Sequence, residues 1–263
     1  MEIFGRLSSV LGYFTSVDSL ELINVLTEQP QTFPTEVYAH DRLITSPERP
    51  VIRSLKLRVD GQTQNHPIHQ GVQLEFLTEL DFSFSHPAQF RIISPIIRCA
   101  PRLKFLNLCT YKFGAYEIHE GPLVPEEWPA LDLMPITSLE TFSIGFMLEL
   151  LPTTRDLTIW SSVLRLLSLA PSTLSNIMFS DMFIDFFLDG EKRLEMLDWE
   201  LLEQSLSRFR QLKTIKITIG LNERQSETFG GSREIFEKAR VIVQRQLREL
   251  HTKGKLEVAL REP

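Results

Sequence analysis

The sequence predicts an α/β fold in which helices and short parallel strands alternate along one stacked array. Two observations predict it: an apolar strand pattern recurs along the whole chain, and helix-like segments precede several of these strands. The chain has 263 residues, enough to bury a sizeable core, and its 43% hydrophobic and 24% charged residues are ordinary for a folded globular protein. Length and composition fit one large domain or two ordinary ones, and the strand pattern that runs the whole chain predicts a single domain over residues 1–263.

The recurring strand pattern is an apolar triplet with the spacing Leu-x-x-Leu-x-Leu, which is the core of a leucine-rich repeat. Side chains alternate between the two faces of a strand, so each triplet turns inward while the residues between face solvent. The triplets are Val17/Leu20/Leu22, Ile52/Leu55/Leu57, Leu77/Leu80/Phe82, Leu103/Leu106/Leu108, Leu139/Phe142/Ile144, Leu174/Ile177/Phe179 and Leu212/Ile215/Ile217. They predict an irregular leucine-rich-repeat solenoid with a parallel concave sheet and outer helices.

A helix-like segment and a break precede several triplets. The clearest phrases are "QFRIISPIIRCAPRLKFLNL", "SSVLRLLSLAPSTLSNIMF", "ELLEQSLSRFRQLKTIKI" and "FGRLSSVLGYFTSVDSLELI". Two of the breaks are Ala100-Pro101 and Ala170-Pro171, where proline cannot continue a helix and moves the preceding residue out of helical geometry. Each phrase therefore predicts a helix, a break and a strand.

The repeats are uneven in length. The step between middle triplet residues is 25 residues from Leu55 to Leu80 but 38 from Ile177 to Ile215, against roughly 20–29 in regular repeats. Insertions are expected in four stretches, 27–50, 60–71, 119–135 and 182–196. The last is apolar, so Phe183, Ile184 and residues 186–188 either pack on the body, in a short helix or otherwise, or expose aromatic side chains to a partner.

Residues 231–263 are predicted to cap the array. Apolar residues recur at helical spacing from Ser232 to Leu250, Gly254 follows, and "KLEVAL" predicts a final strand. The basic residues of this helix either form a solvated face or bind an acidic partner; they are Arg233, Lys238, Arg240, Arg245 and Arg248. No comparable cap follows Met1, so the first repeat needs another element, domain or partner to cover it.

The irregular repeats, the Ala-Pro breaks, strand phrases such as "PRLKFLNL", "SLETFSIGF" and "QLKTIKITIG", and the long closing helix together resemble the repeat region of fungal F-box-like leucine-rich-repeat proteins. The resemblance implies selection of substrates for a cullin-type ubiquitin ligase. It implies a Skp1-type adaptor as partner only if an F-box is present, and "MEIFGRLSSVLGYFTSVDSLELINV" is too short for that element and lacks its Leu-Pro-x-Glu start. The alternative is a stand-alone or truncated repeat scaffold with no ubiquitin role.

Catalytic and cofactor motifs are absent from the sequence, so we expect no enzyme and no cofactor. There is no Gly-rich phosphate loop, no Gly-x-Ser-x-Gly elbow and no His-Glu-x-x-His helix. His66 and His69 lack further ligands at metal-binding spacing and read as a solvated loop, and Glu126-Glu127 reads as solvent-facing. Cys99 and Cys109 fall at a helix end and on a strand, which favours free thiols.

Charge and hydropathy limit the partners to proteins. A formal net charge of −6 gives no general attraction to nucleic acid or to anionic lipid. No apolar stretch approaches the roughly 20 residues that cross a bilayer, and no small-molecule site is evident. With two cysteines and no signal peptide, the chain is expected to be intracellular, in the cytoplasm or nucleus.

The candidate binding residues are those that alternate with the triplets, since on neighbouring parallel strands they share one concave face. The candidates are Lys56, Arg58, Glu79, Asp81, Phe105, Asn107, Thr141, Asn176, Met178 and Lys216; Ser19, Glu21, Ser83, Ser143 and Thr214 share the predicted face. Phe105 and Met178 are the predicted apolar anchors for a protein partner. Lys56 and Arg58 alternatively only pair with Glu79 and Asp81 on the next strand.

Overall fold

A computed structural model describes residues 16–23, 50–59, 72–84, 89–110, 131–148, 154–184, 190–220 and 232–261. Several predictions lie outside these residues: the helix in "FGRLSSVLGYF", the solvated loop of His66 and His69, and the Glu126-Glu127 pair. Within the described ranges, no helix is both long and apolar enough to span a membrane.

Within the described ranges, nine strands form one sheet in which every pairing is parallel. They are β1 (Ser16–Ile23), β2 (Val51–Val59), β3 (Glu79–Phe84), β4 (Phe105–Thr110), β5 (Thr141–Gly145), β6 (Met147–Leu148), β7 (Asn176–Ile184), β8 (Thr214–Gly220) and β9 (Leu256–Leu260). The spatial order is β1-β2-β3-β4-β5-β7-β8-β9, with β6 paired to the later part of β7. Each strand on this path lies beside its predecessor without reversal of direction. The predicted α/β architecture with a single parallel sheet is confirmed.

The triplets set the register of this sheet. Their middle residues are aligned across the strands, as are their last residues, so two apolar rows run the width of the sheet. The middle row is Leu20, Leu55, Leu80, Leu106, Phe142, Ile177 and Ile215, and Leu256 of β9 extends it. From β2 to β8 these side chains are at most 1% exposed, as expected for the core-facing side of a sheet that helices cover.

Six helices are described: α1 (Phe90–Arg98), α2 (Thr154–Ser168), α3 (Gly190–Met196), α4 (Trp199–Ser207), α5 (Ser232–Gln246) and α6 (Arg248–Thr252). The predicted helices before β4, β7 and β8 correspond to α1, α2 and α4. Ala100-Pro101 and Ala170-Pro171 follow the ends of α1 and α2, as predicted. Ile93, Val163 and Leu202 of these helices are fully buried in the same core as the apolar rows of the sheet.

The same turn precedes five of the strands. In each case the backbone N–H of the first triplet residue donates to the carbonyl three residues earlier, at Leu77, Leu103, Leu139, Leu174 and Leu212. The first residue of a strand then repeats a second backbone pattern. The N–H of Phe105 donates to the Thr78 carbonyl, that of Thr141 to the Lys104 carbonyl and that of Asn176 to the Glu140 carbonyl. Units with different helices and insertions therefore enter the sheet through one shared backbone geometry.

Two tryptophans tie the helices together where the predicted insertion 182–196 joins the body. The rings of Trp160 in α2 and Trp199 in α4 lie 5.3 Å apart. Trp160 Nε1 donates to the Asp198 carbonyl at 3.3 Å, and Trp199 Nε1 donates to the Leu194 carbonyl. Leu194 is fully buried in α3, so the α3 part of this insertion is a short helix packed on the body. The side chains of Phe183 and Ile184 and all of residues 185–189, where packing or exposure was left open, lie outside the described part of the chain.

The sequence prediction differs from the structure at three further points. β6 was not predicted, and β7 extends to Ile184 rather than ending near Phe179. Leu131 and Leu133, assigned above to a Pro-rich insertion, are at most 1% exposed and belong to the core. Their apolar spacing, which the surrounding prolines obscured, is the signal that identifies them as core residues.

The C-terminal prediction is confirmed for its local elements: α5, α6 and β9 occupy 232–260, and Gly254 has a φ of 66°. Three basic residues of α5 form ion pairs with acids of α3 or of α5 itself. They are Lys238 with Glu191, Arg240 with Glu237, and Arg245 with Glu195. Those three cations therefore serve local contacts, which supports a solvated face over a site for an acidic partner.

Candidate functional site

The face of the sheet opposite the apolar rows carries all ten predicted binding residues, and we call it the polar face. Its first row is Ser19, Ser54, Glu79, Phe105, Thr141, Asn176 and Thr214; its second row is Glu21, Lys56, Asp81, Asn107, Ser143, Met178, Lys216 and Glu257. Arg58 lies in a third row with Ser83, Cys109 and Gly145. Strand register thus aligns in one row residues as distant in sequence as Glu21 and Glu257.

Both lysines of the second row are paired within the sheet. Lys56 Nζ lies 2.9 Å from Glu21 Oε1 on β1, and Lys216 Nζ lies 2.8 Å from Glu257 Oε1 on β9. The hydrogen bond to Glu21 and the charge of Glu21 raise the pKa of the exposed Lys56 ammonium. The two flanks of the polar face are therefore largely charge-compensated.

Of the alternative pairing of Lys56 and Arg58 with Glu79 and Asp81, the Lys56 part is replaced by an ion pair with Glu21, and Asp81 acts on Lys56 through its charge alone. Register places Lys56 between Glu21 and Asp81, and the lysine bonds to the exposed Glu21 while Asp81 accepts from Asn107. The lysine keeps more solvent in this arrangement, because Asp81 is the more buried of the two acids. Glu257, the partner of Lys216, was not among the predicted residues, although aligning "KLEVAL" beside "TIKITIG" would have placed it there.

Asn176 has its hydrogen-bonding groups occupied by neighbouring strands. Its Nδ2 donates to Thr141 Oγ1 at 3.2 Å and to Ser175 Oγ at 3.1 Å. Its Oδ1 accepts from Thr214 Oγ1 at 3.2 Å. These bonds join β5, β7 and β8 in the first row, so Asn176 acts as a bridge between strands rather than as a free contact group.

Ser143 and Gly145 make the β5 part of the face tight. Ser143, expected to face solvent with the other alternate residues, is only 2% exposed, and its Oγ lies 2.9 Å from Ser180 Oγ. At Gly145, a Cβ atom would lie 2.7 Å from the Ser180 carbonyl oxygen and 2.9 Å from Cys109 Sγ. Ser143 therefore faces Ser180 of the neighbouring strand, which corrects the expectation, and only glycine fits at 145 without a shift.

The centre of the polar face is an acceptor-rich group on β3 and β4, which we call the central cluster: Glu79, Asp81, Phe105 and Asn107. Asn107 Nδ2 donates to Asp81 Oδ1 at 3.0 Å, while Asn107 Oδ1 is buried without a donor among the described residues. Glu79 is exposed and lies beside Phe105 in register. The Phe105 ring is half-buried.

Burial controls the electrostatics of this cluster. It raises the pKa of the Asp81 carboxyl, while the hydrogen bond from Asn107 and the charge of Lys56 act in the opposite direction and Glu21 adds to the rise. Burial disfavours the charged form because a carboxylate loses hydration when it leaves water. An additional cation at this position would therefore stabilise the carboxylate.

Metal-binding and thiol chemistry receive little support from these side chains. Across the described ranges, no three or more His, Cys, Asp or Glu residues are grouped closely enough to hold a metal ion. Cys99 lies exposed just after α1, and Cys109 is half-buried in β4; neither forms a disulfide, as predicted.

Comparison with known proteins adds no relative. No protein family, no curated protein and no solved structure matches this chain.

Proposed function

We propose that this chain is a noncatalytic protein-interaction module, built as an irregular leucine-rich-repeat solenoid, that binds a protein partner on its polar face. The parallel strands lie side by side in the order in which they occur along the chain. This order supports the solenoid, because in a doubly wound sheet the strand order reverses near the middle of the sheet. The shared turn before five strands supports it further. Both features are expected when similar units stack side by side.

The observation that carries the binding proposal is that some polar groups of the polar face have hydrogen-bond or ion-pair partners within the sheet and others do not. Lys56, Lys216 and Asn176 already have partners on neighbouring strands. The central cluster keeps a half-buried aromatic ring, an exposed carboxylate without a described partner and a buried unpaired acceptor. Aromatic anchors surrounded by polar groups dominate the binding energy of many protein interfaces.

A role as the substrate-selecting part of a cullin-type ubiquitin ligase rests on the family resemblance alone. It requires a Skp1-type adaptor and an element that binds it. The alternative is a stand-alone scaffold that uses the same face without a ubiquitin connection.

Affinity capture from the native cell extract, read by mass spectrometry, separates these proposals. Adaptor and cullin in the capture would support the ligase role, and a different specific partner without them would support the stand-alone scaffold. In either case the double variant Phe105→Ala/Asn107→Ala should abolish capture.

The matched control is Arg210→Ala/Gln211→Ala, two exposed residues in the turn before β8, which should leave capture unchanged. Urea unfolding of both variants checks that the fold persists. Full capture by a folded Phe105→Ala/Asn107→Ala variant would remove the polar face as the binding site.

A further inference from the structure

We infer that the central cluster binds an arginine side chain of the partner, whose guanidinium lies over the Phe105 ring between the carboxylates of Glu79 and Asp81. The inference rests on the proposed function and names the chemistry of the partner. Its basis is the distribution of charge and of unsatisfied acceptors over the polar face.

The charges of the polar face are unevenly compensated. On the β1–β2 flank, Glu21 neutralises Lys56, and on the β8–β9 flank Glu257 neutralises Lys216. Nearby cations outside the face are also engaged, since Lys104 pairs with Glu140 at 3.2 Å. The two carboxylates of β3 form no ion pair in the described part of the chain, although the charge of Lys56 acts on Asp81 from the neighbouring strand. Glu79 is exposed to solvent.

The geometry of these two carboxylates fits a planar donor. Glu79 and Asp81 alternate on one strand, so their Cα atoms are separated by about 7 Å, and Glu79 is directly beside Phe105 in register. A guanidinium has five N–H donors in a planar fork and stacks on aromatic rings. It can therefore donate to carboxylates on both sides while its plane covers the ring, whereas a lysine ammonium offers no plane to stack.

The surrounding polar groups favour the same ligand. The Oδ1 of Asn107 is buried and has no donor among the described residues, so it adds negative potential behind the two carboxylates without itself contacting a partner. Asn107 and Asp81 contribute only one mutual hydrogen bond. The exposed and half-buried carboxylates of the central cluster are acceptors and carry negative charge, so an acidic partner segment is disfavoured.

The test is selection of a phage-displayed random dodecapeptide library on the full chain. We expect arginine to be enriched at least threefold over the input library. Selected peptides are then synthesised in pairs, with arginine or with its neutral isostere citrulline. The arginine form should bind at least tenfold more tightly by fluorescence anisotropy, and Phe105→Ala should remove most of this difference.

Three variants locate the effect. Glu79→Gln, at an exposed residue without a described partner, is expected to keep the fold and to lower the arginine preference several-fold. Glu79→Gln/Asp81→Asn should bind the arginine and citrulline peptides equally. The control Glu200→Gln/Glu234→Gln removes the same charge from exposed helix positions and should retain the full preference.

The possible failures are distinguishable. Peptides that require Phe105 but show no arginine enrichment, or that bind equally as arginine and citrulline forms, would overturn this inference and leave the proposed function standing. A selection that yields no peptide dependent on Phe105 would overturn both. An arginine preference that survives in Glu79→Gln/Asp81→Asn would also overturn the inference, because the cation would then bind elsewhere.

Discussion

The two faces of the sheet obey different rules. On the apolar side, each strand from β2 to β8 on the main path contributes a buried aliphatic or phenylalanine side chain to each of two aligned rows. On the polar side, the same strands contribute carboxylates, lysines, amides, hydroxyls, Phe105 and Met178 in no repeating order. Stacking constrains one face and leaves the other free to vary, so repetition indicates the core and irregularity indicates where specificity resides.

The largest test of this comparison uses two adjacent residues of β4. Leu106 is fully buried in the middle apolar row, and Phe105 is half-buried on the polar face. Leu106→Ala should lower the free energy of unfolding by about 2–5 kcal/mol, because it removes buried methyl groups and leaves a cavity. Phe105→Ala should cost about 1 kcal/mol or less. Urea denaturation measures both, and equal losses would show that the polar face is part of the core.

A second test concerns the one place where packing also constrains the polar face. Gly145→Ala should lower the free energy of unfolding by about 1–3 kcal/mol, because the new Cβ would press against the Ser180 carbonyl at 2.7 Å. The control is Gly254→Ala, where nothing lies within 4 Å and the φ of 66° alone opposes the substitution. That control should cost about 1 kcal/mol. A smaller loss at 145 than at 254 would show that β7 moves aside easily.

The sequence predicted the apolar side of the sheet well. Triplet spacing identified seven strands and their inward residues, because packing requires the same residue types at the same positions in every unit. It missed β6, which has two residues, too few for a periodic signal. It also placed Leu131 and Leu133 outside the core, because the prolines before them resemble those of a solvated loop.

For the polar face, the sequence predicted which residues lie on it but not which contacts their side chains form. Alternation identified which residues share the face, yet whether Lys56 bonds to Glu21 or to Asp81 depends on burial and on the competing bond from Asn107. The bridging role of Asn176 and the burial of Ser143 depend likewise on atoms of two neighbouring strands. Such contacts depend on three-dimensional packing that linear spacing does not encode.

A third test measures how much polar contacts, as distinct from the apolar rows, stabilise the packing of the helices. Arg208, after α4, donates through Nη1 to the Ser168 carbonyl and through Nη2 to the Ala170 carbonyl at 2.9 Å. Arg208→Ala should lower the free energy of unfolding by about 1 kcal/mol, since each such hydrogen bond contributes about 0.5–1.5 kcal/mol net. Arg210→Ala, at an exposed position in the following turn, is the control and should have no measurable effect. An equal loss in both variants would assign the effect to charge rather than to the carbonyl bonds.

The smallest expected effect is a pH dependence that belongs to the central cluster. The pKa of Asp81 is raised, chiefly by burial, so the folded chain holds its proton to a higher pH than the unfolded chain does. Stability must therefore fall as the pH rises from the ordinary value of 3.8 through the folded pKa. Relative to Asp81→Asn, the wild type should lose unfolding free energy between pH 4 and pH 7.

The same experiment can also test what sets the pKa of Asp81. The hydrogen bond from Asn107 lowers the pKa of Asp81, so Asn107→Ala should raise that pKa further and steepen the loss. The difference in unfolding free energy between Asn107→Ala and Asn107→Ala/Asp81→Asn should then change more with pH than the difference in the wild-type background. A pH-independent difference in both backgrounds would mean that Asp81 is as well hydrated as an ordinary surface carboxylate. The central cluster would then lack the buried carboxylate that distinguishes it from the exposed acids of the flanks, Glu21 and Glu257.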